Sequence, residues 1–199
     1  MREFPEQFTD FLEKDVVAAA PLLLGARLIR GELSAQIVEV EAYRTPDDAG
    51  CHAHRGETPR MRSMFGPAGH ALVYFTYGNH WMLNLVAHPD RVAAAILIRA
   101  AEPLTGLELM YTRRPKARRD EDLLSGPGKL TAAFGISGAD DGVPLLDPAL
   151  DFRIEPGESV NDLLIGTRIG LAKGKGDDLP WRFIDAHRQR WCSRPLPRP

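Results

Sequence analysis

The sequence predicts an α+β fold, a single mixed domain in which helices flank a curved, mostly antiparallel β-sheet. Three observations favour this class. Several strand-like runs follow one another along the chain, short turns connect neighbouring runs, and the helical patterns lie at the periphery of the strand-rich part. The 199 residues show no abrupt change in composition, so we expect one domain over residues 1–199, with an irregular tail at 195–199.

Two short helices and a hairpin begin the chain. Thr9 or Asp10 can cap the first helix, and Asp15 can cap a second one that ends at Gly25. The runs ARLIRGEL and SAQIVEVEAY then read as two neighbouring strands joined around residues 32–34.

The second strand carries acidic residues where a buried strand normally carries apolar ones. Alternate side chains of a strand point to opposite faces of its sheet. We therefore expect Val38, Val40 and Ala42 on the core face, with Ile37, Glu39, Glu41 and Tyr43 on the other.

A long polar loop separates this strand from the next hairpin. The loop covers residues 45–69, a length that is more typical of a functional segment than of a plain connection. Strand-like runs at 70–77 and 80–87 flank Gly78-Asn79, a strong hairpin signal. We expect further strands at 92–99, 152–154 and 163–171, and a short helix with Pro127 in its first turn.

The composition is that of a globular protein, with 44% hydrophobic and 26% charged residues. Its longest apolar stretch, 16–26, contains Pro21 and is too short to span a bilayer, so we expect no membrane association and an intracellular protein. Cys51 and Cys192 are far apart in sequence and do not predict a disulfide framework.

The net charge of −2 and the pI near 6.3 do not by themselves indicate nucleic-acid binding. The positive residues are clustered, however, and each cluster could bind a polyanion or simply be a solvated surface. The clusters are Arg55, Arg60 and Arg62; Arg113, Arg114, Lys116, Arg118 and Arg119; and Arg188, Arg190, Arg194 and Arg198.

Glu41 and Glu39 are the first candidates for chemistry. A carboxylate on a partly buried strand can act as a general base toward water or stabilise a developing cation. The alternative is a solvated pair on an edge strand. Tyr43 lies on the same face and His52 follows after a turn, so both could contribute to one cleft, or could serve packing alone.

Further candidates lie on the later strands. Tyr77 would project from the hairpin tip and could wedge into a base stack, or fold back as a cap. Tyr74 faces the opposite side of that strand and could serve the cleft. Asn84 is an amide within an apolar run, and Arg99 ends such a run and needs an acidic partner, for which Glu41 is the obvious choice.

A metal site at Cys51, His52 and His54 is disfavoured, because no second cluster supplies the remaining ligands. A nucleophile elbow and a phosphate-binding P-loop are also missing from the sequence. We therefore expect neither a metal nor another cofactor.

Taken together, these motifs resemble the alkyladenine (3-methyladenine, or methylpurine) DNA glycosylase family. The resemblance runs in order over about residues 23–136, with weaker similarity at RIG and LPWRF. It is carried by LLGARLIR, IVEVEAY, the acid-rich turn to His52, ETPRMRSMF, ALVYFTYGNHWMLN, ILIRAAEPLTG and SGPGKLTAAFGI.

The resemblance implies a base-excision repair enzyme. Such an enzyme flips an alkylated or deaminated purine from duplex DNA, of the class of 3-methyladenine, 7-methylguanine, hypoxanthine and ethenoadenine. An activated water then hydrolyses the N-glycosidic bond and leaves an abasic site. The alternative is a catalytically weak lesion-recognition or nucleic-acid-binding protein of the same fold. The implied partner is damaged double-stranded DNA, bound by a monomer, in the cytoplasm and at the nucleoid of a bacterium.

The resemblance also assigns roles. Glu41 matches the general base, and Arg99 the arginine that holds the attacking water and the nucleotide. Tyr43, His52 and Tyr74 match the positions that stack on and edge the base, Asn84 the amide that discriminates against guanine, and Tyr77 the intercalating wedge. No lysine occupies the matching cleft motifs, which predicts a monofunctional glycosylase.

Three departures from the family pattern bear on these roles. The turn residues Asn79-His80 replace bulkier residues of vertebrate members, the loop at 88–91 is two residues longer, and the C-terminal segment is altered. The turn residues concern contact with the opposite DNA strand, and the longer loop concerns the choice of lesion. The C-terminal segment concerns the last wall of the pocket.

Overall fold

A computed structural model describes residues 4, 6–76, 78–88 and 92–197. Within these ranges eight strands form one curved sheet, and the α+β class is confirmed. The strands are β1 (Arg27–Arg30), β2 (Leu33–Arg44), β3 (Ala71–Thr76), β4 (His80–Ala87), β5 (Ala94–Thr105), β6 (Phe152–Glu155), β7 (Leu163–Gly166) and β8 (Arg182–Asp185).

The helices are short and surround this sheet. They are α1 (Glu6–Lys14), α2 (Val16–Leu22), α3 (Leu107–Arg113), α4 (Asp120–Leu124) and α5 (Pro127–Phe134), together with 3-10 helices at Pro59–Phe65, Gly138–Asp140 and Gln189–Trp191. No helix among the described residues is both long and apolar enough to cross a membrane.

The sheet places β2 at its centre. The strand order is β3-β4-β5-β2-β1-β6, and β8, itself paired with β7, joins β2 beyond the end of β1. Each of these pairings is antiparallel. Because β2 has strands on both sides, the edge-strand alternative for its two glutamates is wrong.

Local signals in the sequence explain most element boundaries. The Asp15 carboxylate accepts hydrogen bonds from the backbone N–H groups of Val17 (2.9 Å) and Ala18 (3.3 Å), so α2 begins as predicted, although it ends at Leu22. Pro127 occupies the first turn of α5, which ends at Gly135 in the left-handed conformation, with φ of 66°. The β1–β2 and β3–β4 hairpins are both confirmed.

Three register shifts interrupt the pairing of β2 with β5, and the second and third, both β-bulges, correct the predicted face pattern. On β2, Val38 is the extra residue between the paired residues Ile37 and Glu39. On β5, Arg99 is the extra residue between Ala100 and Ile98, which pair with Glu39 and Val40. A bulge inserts one residue and turns the following side chains to the other face. Ile37 therefore packs in the main core, contrary to expectation, and Val38 packs on the opposite face.

Two predicted strand ends were also wrong. The strand expected to stop at Arg99 continues to Thr105 as β5, because the bulge lets the charged residue lie within it. The strand expected over 163–171 stops at Gly166, and the residues after it form a loop that approaches β2. Strand β8 was not predicted.

The two faces of the sheet bury different clusters. The main core lies between one face and the helices, and it includes Leu28, Ile37, Ile96, Met110 and Phe134. On the other face lie two smaller clusters. The loop-side cluster comprises Cys51, Ala53, Met61, Met64, Leu72, Val86, Ala93 and Ala95, and the C-terminal cluster comprises Val38, Ala100, Leu164, Ile184, Ala186, Trp191 and Cys192.

Candidate active site

Two of the candidate residues belong to one row across the second face of the sheet. Cross-strand pairing aligns Glu41 on β2, Leu97 on β5, Asn84 on β4 and Leu72 on β3. Directly paired residues of neighbouring strands point to the same face. With a strand spacing of about 4.8 Å, Glu41 and Asn84 stand roughly 10 Å apart. The strands thus bring together residues that are far apart in sequence.

The Glu41 carboxylate is fully buried and accepts three hydrogen bonds. Its Oε2 accepts from the Tyr43 hydroxyl at 2.7 Å and from Nη1 of Arg99 at 3.1 Å. Its Oε1 accepts from the backbone N–H of Ile169 at 2.7 Å. These three donors come from β2, β5 and the loop after β7, so the carboxylate is fixed from three directions.

Arg99 lies between the two glutamates of β2. Its Nε is 3.6 Å from Oε1 of Glu39 and donates a hydrogen bond to Oγ of Ser193 at 3.3 Å. Burial alone would lower the pKa of Arg99, but the charges of Glu41 and Glu39 outweigh burial and raise it. The bulge at Arg99 is what turns this guanidinium toward both carboxylates.

Glu39 has its own set of partners, which come from the C-terminal part of the chain. Its Oε1 accepts from Nε of Arg182 at 2.7 Å, and its Oε2 accepts from the backbone N–H of Ser193 at 2.6 Å. The Ser193 hydroxyl donates to Oε1 at 2.9 Å. Glu39 therefore anchors the segment that follows β8, while Glu41 faces Tyr43.

Tyr43 connects Glu41 to the neighbouring pocket. Burial, followed by the Glu41 charge and its hydrogen bond, raises the pKa of Tyr43 well above its usual value, so the hydroxyl remains a donor. The Arg168 guanidinium carbon lies 4.5 Å from the centre of the Tyr43 ring, a cation–π distance.

Arg168 belongs to a buried ion pair that sequence analysis missed. Its Nη1 and Nη2 lie 2.5 and 2.7 Å from the two oxygens of Asp48, a bidentate arrangement. The same guanidinium donates to the carbonyl groups of Ala42 and Gly176, each at 3.0 Å. Burial opposes the charge, but Asp48 outweighs it and the pKa of Arg168 is raised.

A pocket opens beside Tyr43 on this face of the sheet. Its wall combines aromatic rings, sulfur atoms and aliphatic groups around one amide. The lining residues are Tyr43, Cys51, His52, Met61, Met64, Leu72, Tyr74, Asn84 and Ala95. A pocket that is mostly apolar, with few polar groups, is typical of a small-molecule site, and its aromatic rings can stack on a flat ligand.

His52 and Tyr74 form one side of this pocket as a contacting pair. Their ring centres are 5.2 Å apart at an angle of 44°. A base placed between the two rings would need their centres about twice a stacking distance apart. The pair can therefore contact only one side of a bound base. The Arg60 guanidinium lies 5.5 Å from the Tyr74 ring centre. Desolvation, followed by the Arg60 charge, lowers the pKa of His52.

Asn84 is the buried polar side chain of the pocket wall. It is 3% exposed, and its Nδ2 donates to the Leu72 carbonyl oxygen at 3.1 Å. This bond fixes the amide orientation and leaves the Oδ1 acceptor and one N–H for a ligand.

Cys51 forms part of the pocket wall as a protonated thiol. Burial raises its pKa to about 11, and its Sγ lies 3.9 Å from Sδ of Met64. Within the described ranges, no three His, Cys, Asp or Glu side chains gather closely enough to hold a metal ion.

The structure thus brings Glu41, Arg99 and Tyr43 into contact and places His52, Tyr74 and Asn84 in the adjoining pocket. Tyr77 and residues 89–91 lie outside the described residues. Sequence analysis missed the roles of four residues of the surrounding network, Asp48, Arg168, Arg182 and Ser193. RIG contains Arg168, LPWRF contains Arg182 and the acid-rich turn contains Asp48, whereas no motif contains Ser193.

Comparisons with known proteins show the family to which this chain belongs. The family model described as "Methylpurine-DNA glycosylase" matches residues 10–189. A Burkholderia lata protein named "Putative 3-methyladenine DNA glycosylase" is 47% identical over 98% of this chain and 92% of its own length. A Burkholderia cenocepacia protein of the same name is 46% identical over 94% and 91%. "DNA-3-methyladenine glycosylase" of Arabidopsis thaliana is 40% identical over 94% of this chain and 73% of its own.

These matches cover nearly the whole chain, including the loop that contributes Arg168 and Ile169. The chain therefore belongs to the methylpurine-DNA glycosylase family and is a DNA glycosylase, a hydrolase that acts on the N-glycosidic bond.

Proposed function

We propose that this enzyme excises alkylated or deaminated purines, of the class of 3-methyladenine, 7-methylguanine, hypoxanthine and ethenoadenine, from double-stranded DNA as a monomer. The observation that carries the proposal is the contact between the buried Glu41–Arg99 pair and the aromatic pocket, made through the Tyr43 hydroxyl. In this proposal the pocket holds the purine, and the Glu41 carboxylate faces the bond between the base and the sugar.

Glu41 acts as the general base in this proposal. A carboxylate offers about four acceptor positions, and three of those of Glu41 are occupied by donors from Tyr43, Arg99 and Ile169. The remaining position on Oε1 can accept a hydrogen bond from the attacking water. As the C1′–N bond of a cationic alkylated purine breaks, the base departs with the electron pair as a neutral molecule, the water oxygen bonds to C1′, and Glu41 takes the proton. A neutral lesion such as hypoxanthine must also receive a proton from an acid, because its base would otherwise leave as an anion.

Charge accounts for the roles of Glu41 and Arg99 in the same step. The sugar becomes cationic as the base departs, and the Glu41 carboxylate stabilises that charge. Arg99 holds Glu41 and contributes to the position of the water. Because Arg99 also faces Glu39, the two guanidinium groups of Arg99 and Arg182 balance the two buried carboxylates.

The base enters the pocket after the nucleotide rotates out of the duplex. Extrusion costs a few kcal/mol and is easier for a lesion that pairs poorly. Tyr43 stacks on the base from one side, and the His52–Tyr74 pair contacts it from the other. In this proposal Tyr77, which precedes Gly78-Asn79 in the sequence, fills the gap left in the DNA.

Asn84 supplies selectivity among purines. Its amide is fixed by the bond to Leu72, so it cannot rotate freely to accommodate a different edge. A normal guanine carries an exocyclic amine, which is a hydrogen-bond donor, and it is disfavoured where it faces the remaining N–H of this fixed amide because two donors cannot pair.

The pocket wall accounts for a monofunctional enzyme. None of the pocket-lining residues of the described chain is a lysine that could form a Schiff base with the sugar. The product is then an intact strand with an abasic site.

Glu41→Gln tests the proposal. The amide keeps the shape of the side chain but cannot take a proton from water, so excision should fall by at least about 100-fold while binding of lesion DNA survives. The measurement is abasic-site formation, detected by alkaline cleavage on gels, with duplexes that carry 3-methyladenine, hypoxanthine or ethenoadenine.

Glu155→Gln is the matched control. Glu155 lies on β6, away from the pocket, and pairs with Arg27 and Arg153, so its removal should leave excision unchanged. Full excision by Glu41→Gln would disprove the assigned role of Glu41. If the unaltered protein binds all three duplexes but excises none of the three lesions, these lesions are not its substrates.

A further inference from the structure

The Asp48–Arg168 ion pair joins two loops that meet beside the catalytic strand. Asp48 lies in the turn after β2, and Arg168 lies in the loop between β7 and β8. Both side chains of the pair are fully enclosed, and the guanidinium makes four hydrogen bonds to Asp48, Ala42 and Gly176. The position of Arg168 is therefore closely defined.

Two routes lead from Arg168 to Glu41. The first passes through Tyr43, whose ring lies 4.5 Å from the guanidinium carbon and whose hydroxyl donates to Oε2 of Glu41 at 2.7 Å. The second passes through the next residue, because the backbone N–H of Ile169 donates to Oε1 at 2.7 Å. Each route ends on a different oxygen of the same carboxylate.

The energetics of buried ion pairs favour a positional role over a stabilising one. Removing two charges from water costs about as much as their attraction returns, so replacing a buried pair by apolar residues is often neutral for stability. Arg168 also keeps a buried Nε without a hydrogen-bond partner in the described structure. An unpaired buried donor adds a desolvation cost that the pair does not recover.

We propose that Asp48 and Arg168 form a positioning unit that fixes both oxygens of the Glu41 carboxylate relative to the pocket. The inference rests on the proposed role of Glu41 as general base. Neither residue touches the substrate: Arg168 acts through Tyr43 and Ile169, and Asp48 acts through Arg168.

The unit has a direct consequence for the pocket. The Arg168 guanidinium makes a cation–π contact with the Tyr43 ring, because a cation is attracted to the face of an aromatic ring. It thereby holds the ring in one orientation before the base arrives. A base that stacks on Tyr43 meets a surface that is already ordered, which lowers the entropic cost of binding.

Arg168→Lys tests the inference, because lysine keeps the charge but loses the bidentate fork and the flat stacking surface. We expect the single-turnover excision rate to fall on the order of 10- to 100-fold, since small displacements of a catalytic group have effects of this size. Lesion-DNA affinity, measured with the same duplex, should change less than about threefold.

Arg30→Lys is the matched control. Arg30 also pairs with a carboxylate distant in sequence, Asp140, at 3.0 Å, but contacts no residue of the pocket. The same substitution there should leave the excision rate unchanged. Circular dichroism and thermal melting of both variants report whether the fold is kept.

Asp48→Asn is the second variant, which keeps the shape of the side chain and removes its charge. The inference requires that the excision rate of this variant also falls while its affinity for lesion DNA changes little. It is overturned if both variants excise at the normal rate, if rate and affinity fall together, or if both variants lose the folded state, because the pair would then hold the domain rather than the carboxylate.

The two proposals fail in different ways. If Glu41→Gln excises normally, the proposed function of Glu41 is wrong, whatever Arg168→Lys does. If Glu41→Gln is inactive and Arg168→Lys behaves like the unaltered enzyme, only the positioning unit is wrong.

Discussion

Glu41 and Glu39 differ in their neighbours rather than in their burial. Both are completely enclosed on β2, and both face Arg99. Glu39 accepts from Arg182 and from two groups of Ser193, so its partners belong to the C-terminal segment. Glu41 accepts from Tyr43, which lines the pocket. These partners make Glu41 the candidate for chemistry and give Glu39 a supporting position.

Tyr43→Phe should separate the ring from the hydroxyl. The ring over Arg168 remains, but Oε2 of Glu41 loses a donor at 2.7 Å. A hydrogen bond to a charged group contributes about 1.5 to 3 kcal/mol, so we expect the single-turnover rate to fall about tenfold or more with little change in affinity.

Tyr111→Phe provides the control for this hydroxyl. The Tyr111 hydroxyl donates to Oδ1 of Asp120, also at 2.7 Å, on the helical side of the protein. Its removal should not alter excision. An unchanged rate in Tyr43→Phe would show that the donor to Glu41 is dispensable.

The raised pKa of Tyr43 predicts a pH dependence of stability. The folded protein holds this proton more tightly than the unfolded chain, whose tyrosine pKa is about 10. The stabilisation is complete below that value and is lost as pH rises above it toward the folded pKa. The free energy of unfolding of the unaltered protein should therefore decline relative to Tyr43→Phe above about pH 10, as measured by urea denaturation from pH 8 to 11. A difference independent of pH would contradict this prediction.

At the scale of single residues, the sequence predicted the partners on β2 and β5 but not those from later segments. Glu41 and Arg99 are both charges in apolar runs, which a pattern reveals. Arg168 and Ser193 lie in loops without periodicity, so their approach to β2 depends on tertiary packing.

At the scale of elements, the sequence pattern predicted every strand except β8 but could not locate the bulges. A strand with one inserted residue has the same composition as a regular one, and only the pairing with β5 shows where the shift falls. The expected faces of Ile37 and Val38 were wrong for this reason. The hairpins were predictable because their turn residues are adjacent in sequence.

The C-terminal segment after β8 contacts the Glu39 carboxylate through Ser193. Ser193→Ala removes the hydroxyl that donates to Glu39 and accepts from Arg99. We expect the free energy of unfolding to fall by about 1 to 2 kcal/mol, since a buried carboxylate loses one donor. Urea denaturation measures this change.

Ser34→Ala is the corresponding control for Ser193→Ala. The Ser34 hydroxyl bonds to Oγ1 of Thr105 at 2.8 Å, in an exposed pair between β2 and β5. Its loss should have a smaller effect than that of Ser193. Equal effects would indicate that the segment is held by apolar packing of Trp191 and Cys192 rather than by Glu39.

At the scale of the whole molecule, the main core and the candidate site lie on opposite faces of the sheet. One face buries the main core under the helices, and the other face carries the site between the two smaller clusters. The positive clusters follow the same division. Arg62 lies on the 3-10 helix whose Met61 and Met64 line the pocket, whereas the segment with Arg118 packs through Ala117 on the main core.

This division predicts which cluster binds DNA. Each phosphate contact contributes about 0.9 to the slope of log affinity against log salt concentration. Arg62→Gln should reduce the slope by about that amount, and Arg118→Gln, on the other face, should not change it. Fluorescence anisotropy with a lesion duplex at several salt concentrations provides the measurement. Equal slopes for all three proteins would remove Arg62 from the DNA surface.

The overall charge of −2 is compatible with such a surface, because binding depends on the local field rather than on the total. The overall fold class followed from the sequence, whereas the division into two faces required the strand order.

The paired bulges at Val38 and Arg99 have a consequence for protein design. A designer who copied Glu41, Tyr43 and Arg99 onto a regular antiparallel sheet would obtain the right residues in the wrong arrangement, because the guanidinium would follow the undisturbed alternation of its strand. The irregularity of the backbone must be transplanted together with the side chains. In this protein, the smallest unit that could be transferred with the site is the pair of strands β2 and β5 with their bulges.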